Sequence, residues 1–157
     1  MKINKTNALR ILDAKGITYE TQLYEVDESD LSGETVARKI GQNPDEVFKT
    51  LVAQGASRQI FVFCIPVTAE LQLKKAAHAA GEKAIEMVKV NDLLGLTGYI
   101  RGGCSPIGMK KQFPTFIDET AQIFDKLYVS AGVRGMQVRL SPDDLLSATG
   151  AVFADLI

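Results

Sequence analysis

The sequence predicts an α+β domain in which helices pack outside a curved, mostly antiparallel sheet. Three observations support this. The apolar fraction of 46% across 157 residues is enough for one sizeable core. Short strand-like and helix-like segments alternate irregularly rather than as a βαβ repeat, which argues against a doubly wound parallel sheet. The apolar runs are short and are bounded by glycine, proline or asparagine. Together they predict a single domain over 1–157.

Residues 3–15 predict a helix, with Ala8, Ile11 and Leu12 on one face and Gly16 as a stop. Residues 17–26 are rich in β-formers and predict a strand. A solvated linker, residues 27–30, leads to Ser32, which can cap a helix over 33–40 ended by Gly41. Asn43 and Pro44 open a short helical turn that runs into FKTLVAQ, and Gly55-Ala56-Ser57 suits a hairpin. IFVFCIPV, residues 60–67, is a buried strand. Residues 69–80 predict a helix with Thr68 as cap and Gly81 as stop. A short strand follows near 84–88, then a brief helix capped by Asn91.

Residues 98–108, GYIRGGCSPIG, predict a loop of specified geometry. Strands are expected at 115–117 and 126–130, flanking a helical turn at 119–124, and again at 136–140. Ser141-Pro142-Asp143-Asp144 combines cap, proline and acidic first turn, and so opens a helix. The closing AVFADLI returns to an apolar pattern.

Eighteen basic residues against nineteen acidic ones exclude a strongly basic coat, though a local patch can still hold phosphates. Two cysteines, Cys64 and Cys104, are too few for a disulfide-stapled secreted scaffold. The N-terminus lacks a signal-peptide pattern, and no apolar run is long enough to span a membrane. A cytoplasmic protein without metal or cofactor is expected. The single histidine, His78, has no ligand partners at metal spacing, and neither a Gly-x-Ser-x-Gly nor a phosphate-loop motif occurs.

The positive features are three. Lys49, between Phe48 and Leu51, either snorkels from the core edge or holds an anionic or carbonyl-bearing ligand at a pocket rim. Gly102-Gly103, with Pro106 and Gly108, forms either a tight corner or a cradle of N–H donors for an oxyanion. Ser130, Gly132 and Arg134 follow a strand end, where functional groups are often displayed, and a solvated turn explains them equally well. Cys104 has no histidine near it in sequence to activate it as a nucleophile. Lys74, Lys75, Lys83, Lys110 and Lys111 are either wet faces or part of an RNA footprint.

Taken together, FKTLV, LQLKKAA, GYIRGGCSPIGMKK, YVSAGVRG and SPDDL resemble, in order and spacing, the YbaK/EbsC family of prolyl-tRNA-editing-like deacylases. The resemblance covers essentially the whole chain. It implies a barrel-like sheet surrounded by helices and the removal of cysteine from tRNA(Pro), and from tRNA(Cys), by substrate-assisted ester cleavage. Alternatives are an alanyl-tRNA(Pro) deacylase and a non-catalytic protein that binds tRNA ends. The family's activity-linked lysine falls on Lys49 and its pocket tyrosine on Tyr24. Its serine falls on Ser130, and its glycine loop on Gly102, Gly103, Ser105, Pro106, Ile107 and Gly108. Lys74, Lys75, Lys110, Lys111 and Arg134 become the candidate tRNA contacts. A transient complex with prolyl-tRNA synthetase is implied as well. Two departures stand out: some members carry an acid where this chain has Gln137, and many carry an aliphatic residue where it has Cys104.

Overall fold

The computed structural model describes residues 5–157. Helix α1 (Asn7–Ala14) starts at Thr6, whose hydroxyl accepts the Leu9 N–H; residues 3 and 4 of the expected helix lie outside the described residues. Strand β1 (Glu20–Leu23) is shorter than expected. Helix α2 (Gly33–Lys39) is capped by Ser32. After a 3₁₀ turn (Pro44–Glu46), FKTLVAQ becomes strand β2 (Phe48–Gly55), which forms a hairpin with β3 (Ile60–Pro66). Helix α3 (Leu73–Ala80) begins later than expected, because the Thr68 hydroxyl binds Asp45 at 2.9 Å instead of capping the helix. Strand β4 (Ile85–Met87) leads to helix α4 (Val90–Thr97). Asn91 lies inside that helix rather than at its cap, which falls on Lys89.

Strand β5 (Thr115–Asp118), a 3₁₀ turn (Glu119–Ile123), β6 (Leu127–Ser130) and β7 (Met136–Leu140) follow the glycine loop. Helix α5 (Pro142–Thr149) starts at Ser141, as its cap-proline-acid pattern requires, and β8 (Val152–Ala154) is the last strand.

The strands do not close into a barrel, contrary to the expectation of one curved, barrel-like sheet. They form an antiparallel sheet of three strands, in order β1-β7-β6, and a mixed sheet of five, in order β4-β2-β3-β5-β8. The cause is the way β5 and β8 join. Each adds in parallel beside its neighbour, which extends the five-stranded sheet to an open edge instead of returning it to the other sheet. Among the described residues one isolated bridge joins the two sheets, in which Val47 pairs with Tyr128 in parallel.

The two sheets share one core: Phe48, Cys64 and Ile117 of the five-stranded sheet cluster with Val129, Val138 and Leu140 of the three-stranded one, together with Leu9 and Leu12 of α1 and Leu145 of α5. Helix α3 covers the five-stranded sheet through Ala76 and Ala77, against Phe61, Phe63 and Ile65. Asp118, fully buried, ties down the C-terminal segment by accepting the Leu156 N–H at 2.9 Å. Among the described residues no helix is long and apolar enough to cross a membrane.

Phe63 is fully buried and stacks on Phe116 with ring centres 5.5 Å apart. Phe63→Ala should therefore lower unfolding stability by roughly 3–5 kcal/mol, measured by urea denaturation.

Candidate active site

The bridge between the sheets sets the site. In a parallel pair, two residues ahead on both strands keep the same face and the same order. Two residues beyond Val47 and Tyr128 are Lys49 and Ser130. The strands no longer pair there, and a cleft of about 310 Å³ opens between them. Its walls are the start of α2 (Ser32, Gly33, Glu34), the β2 segment from Val47 to Leu51, the loop residues Arg101, Gly102 and Cys104, and Ser130 with Gln137. Lys49 is half-buried in this wall. The lysine and the glycine loop, distant in sequence, thus face one cavity.

Inside the loop, the two glycines do different work. Gly102 adopts φ +84°, a left-handed conformation that side chains other than glycine rarely tolerate. Gly103 is needed for space: a Cβ there would stand 2.9 Å from the Arg134 backbone nitrogen. Its N–H is already donated to the Ile100 carbonyl at 2.9 Å, so it is not free for an oxyanion. Among the described residues the N–H groups of Gly102 and Cys104 have no hydrogen-bond partner, and both residues line the cleft. They are candidate donors to a developing negative charge, together with the unpartnered N–H groups of Gly33 and Glu34 at the start of α2.

Ser105, Pro106 and Ile107 are buried and lie behind the wall rather than in it. The Ser105 hydroxyl accepts the Ile107 N–H at 3.2 Å, and the Ile107 carbonyl accepts the Tyr99 hydroxyl at 2.6 Å. Gly108 packs toward α1, where its carbonyl accepts the Asn7 side-chain amide at 2.9 Å. Gly132, at φ +99°, gives way to the Tyr99 ring. These residues shape the loop without touching the cleft. Tyr24 lines a narrow crevice on the far side of Gly102 and packs against Val47 and Tyr128.

The polar wall comes from the three-stranded sheet. Ser130 on β6 is paired in register with Gln137 on β7. The Ser130 oxygen accepts the Gly132 N–H at 3.2 Å, which orients the hydroxyl. Gln137 is 5% exposed, and its Oε1 has no hydrogen-bond partner. A buried acceptor left unsatisfied is costly to the fold.

Burial pushes the Cys104 thiol up to about 11 and the Cys64 thiol up to about 12. Both are protonated near neutrality and neither is a ready nucleophile. At the entry to α2, the Thr35 hydroxyl and then Ser32 hold Asp30 down at about 2. That value lies below the unfolded one, about 3.9. Asp30 therefore supports the α2 entry fully above about pH 4, and the support is lost as pH falls toward 2.

The candidate RNA-contacting residues separate. Lys74 and Lys75 border a different depression with His78 and Asp155. Lys75 is paired with Asp155 at 3.0 Å and also donates to the Ile157 carbonyl. Lys110 runs over Gly98, and Lys111 sits 5.8 Å from the Phe113 ring centre. Of the five, Arg134 is tied to the cleft loop, because its Nε donates to the Arg101 carbonyl at 2.8 Å. A larger depression, about 570 Å³, lies between β4 and α4 and contains none of the predicted site residues. Residue-by-residue reading of the sequence missed Arg101, Thr50 and the α2 start. Arg101 had a visible signal, since it directly precedes Gly102-Gly103.

The aminoacyl-tRNA editing domain model matches residues 29–148. The chain is 47% identical to EbsC of Enterococcus faecalis, whose name assigns it deacylation of Cys-tRNA(Pro) and Cys-tRNA(Cys). That match covers 97% of this chain and 93% of EbsC. Two solved structures share the fold at 24% identity. The hypothetical protein APE2540 superposes with a TM-score of 0.87, over 96% of this chain and 99% of its own. A trans-editing enzyme for prolyl tRNA synthetase superposes at 0.81, over 98% of each chain.

Two measurements test the wall. Gly103→Ala should destabilise the protein by roughly 1–3 kcal/mol, seen in the urea midpoint, because the opposing atoms are backbone. Alkylation of Cys104 by iodoacetamide, followed by mass spectrometry, should accelerate with pH up to about 11. A plateau near the ordinary thiol value, about 8.5, would contradict the burial described.

Proposed function

The chain belongs to the aminoacyl-tRNA editing domain family and is an aminoacyl-tRNA deacylase, and from that premise we propose that it removes mischarged cysteine from tRNA(Pro), and from tRNA(Cys). The observation that carries this reading is the convergence of Lys49, Gly102, Cys104, Ser130 and Gln137 on one small cleft. The strong similarity to EbsC supports cysteine as the aminoacyl group. The match to that relative over 97% of this chain supports reading residues 1–157 as one editing domain.

The bond cut is the ester between the aminoacyl group and the terminal ribose. Attack on its carbonyl puts negative charge on oxygen, and fixed N–H donors lower the barrier without reorganising. Gly102 and Cys104 supply those donors, and the Lys49 ammonium adds positive field. Gln137 lines the same wall, in register with Ser130.

The protein supplies no nucleophile in this reading. The substrate's own thiol attacks its carbonyl. A sulfur–carbon bond forms, the carbon–oxygen bond to ribose breaks, and the thiol proton passes to the ribose oxygen. Water then opens the cyclic thioester to free cysteine. The cleft's share is orientation, which is worth most in intramolecular attack. The near-neutral net charge suits a protein that leaves tRNA identity to a bound prolyl-tRNA synthetase, and the reaction belongs in the cytoplasm beside translation.

Side-by-side hydrolysis of cysteinyl-, alanyl- and prolyl-tRNA(Pro) tests the reading. Cysteine should be released fastest, with the cyclic thioester trapped as an intermediate. Faster alanine release would point to water as the nucleophile, and no release, with or without synthetase, to a binding role. Lys49→Ala should lower kcat/KM on the preferred substrate by about 100-fold or more, the scale of losing a group that stabilises transition-state charge.

A further inference from the structure

Arg101 lines the cleft yet is exposed to solvent, so it stands at the mouth. Its main chain is fixed from behind, where Arg134 Nε donates to the Arg101 carbonyl. Gly102 makes room for this: a Cβ there would be 3.3 Å from that same Nε. Among the described residues the ion pairs are Lys5–Asp13, Lys75–Asp155 and Arg139–Glu20, and the Arg101 side chain has no hydrogen-bond partner. A guanidinium fork is therefore left uncommitted on a braced loop beside a ligand cavity. Lys49, by contrast, is half-buried further in.

The substrate's chemistry orders these two cations. The scissile ester hangs on the terminal ribose, and the nearest fixed negative charge is the phosphate on the 5′ side of that same sugar. When the ester lies at Lys49, the phosphate lies one sugar toward the mouth. We infer that Arg101 binds this terminal phosphate and that Arg134 is a positioning residue acting through the Arg101 main chain. A planar fork matches two phosphate oxygens at once. Among the cleft's charged lining residues Arg101 and Lys49 are the cations and Glu34 the carboxylate, so an anion is held by the cations. The inference rests on the deacylase reading and adds to it the handle by which the nucleic acid is held. The Lys74–Lys75 surface, where Lys75 is already paired with Asp155, is set aside in its favour.

The test uses the whole chain and two small esters, 3′-O-cysteinyl adenosine and the same compound carrying a 5′-monophosphate. Wild type should prefer the phosphate-bearing ester. Arg101→Ala should lower kcat/KM on that ester by about tenfold more than on the nucleoside, the size of one charge-assisted pair, and should erase the preference. Arg101→Lys should restore part of it. With Cys-tRNA(Pro), the slope of log KM against log salt should fall by about 0.7 in Arg101→Ala, one single-strand phosphate's worth. This salt arm stands by itself. Equal losses on both esters with an unchanged salt slope would reveal a structural role and overturn the inference. If wild type cleaves none of the three substrates, the deacylase reading fails and takes the inference with it. If wild type cleaves them without preferring the phosphate and Arg101→Ala leaves the salt slope unchanged, the inference alone fails.

Discussion

The pairing of Val47 with Tyr128 is the constraint on which the rest depends. It is the backbone bridge that links the two sheets, and it sets the position of Lys49 relative to Ser130. The pairing is secured from both sides. The Val47 carbonyl accepts the Val67 N–H at 2.8 Å, and the Tyr128 ring is buried with Val47, Val67, Ala37 and Ile40. Apolar burial of that cluster therefore holds two polar residues, two positions further along each strand, at the wall of a cavity. The core and the cleft are consecutive parts of one strand crossing.

Much of this was legible locally. A serine, a proline and two acids in sequence announce α5, and the structure places Ser141 at its cap. The glycine loop was legible as special backbone, because few side chains accept the φ of Gly102. What was not legible was long-range. Nothing in the strand segments says that β5 and β8 join in parallel, and this alone turns an expected barrel into two open sheets. Thr68 reads as a cap until its hydroxyl is found on Asp45, 23 residues earlier. Lys74 and Lys75 read as partners of Lys110 and Lys111 until the fold puts the first pair beside Asp155.

The site was half legible for the same reason. Lys49 and Gly102 were visible because each breaks a local rule: a charge among apolar residues, and paired glycines before a proline. Gln137 breaks none, since glutamine on a strand is ordinary. Its significance is the missing partner of its buried oxygen, which only the folded chain reveals. Gly103 shows the converse. Beside Gly102 it suggests a second donor, yet its N–H closes the turn and its missing side chain admits the 133–134 backbone.

The walls of the cleft also suit the proposed route, in which the substrate rather than the enzyme supplies the nucleophile. The thiol that lines the cavity is kept protonated by burial, so it cannot compete with the substrate for the carbonyl. The serine beside it has its oxygen engaged by the Gly132 N–H, and the lone histidine lies on α3 at a separate surface. The remaining polar groups of the lining include backbone donors, the Lys49 and Arg101 cations and the Glu34 carboxylate. In the proposed route they hold the ester and stabilise charge upon it while the substrate's thiol makes the attack. Discrimination then need not come from measuring a side chain to within a methylene, a task worth only about 1–3 kcal/mol. It can come from whether the bound amino acid carries its own thiol. A correctly charged prolyl ester would survive in the cleft because its ring carries no thiol to attack with.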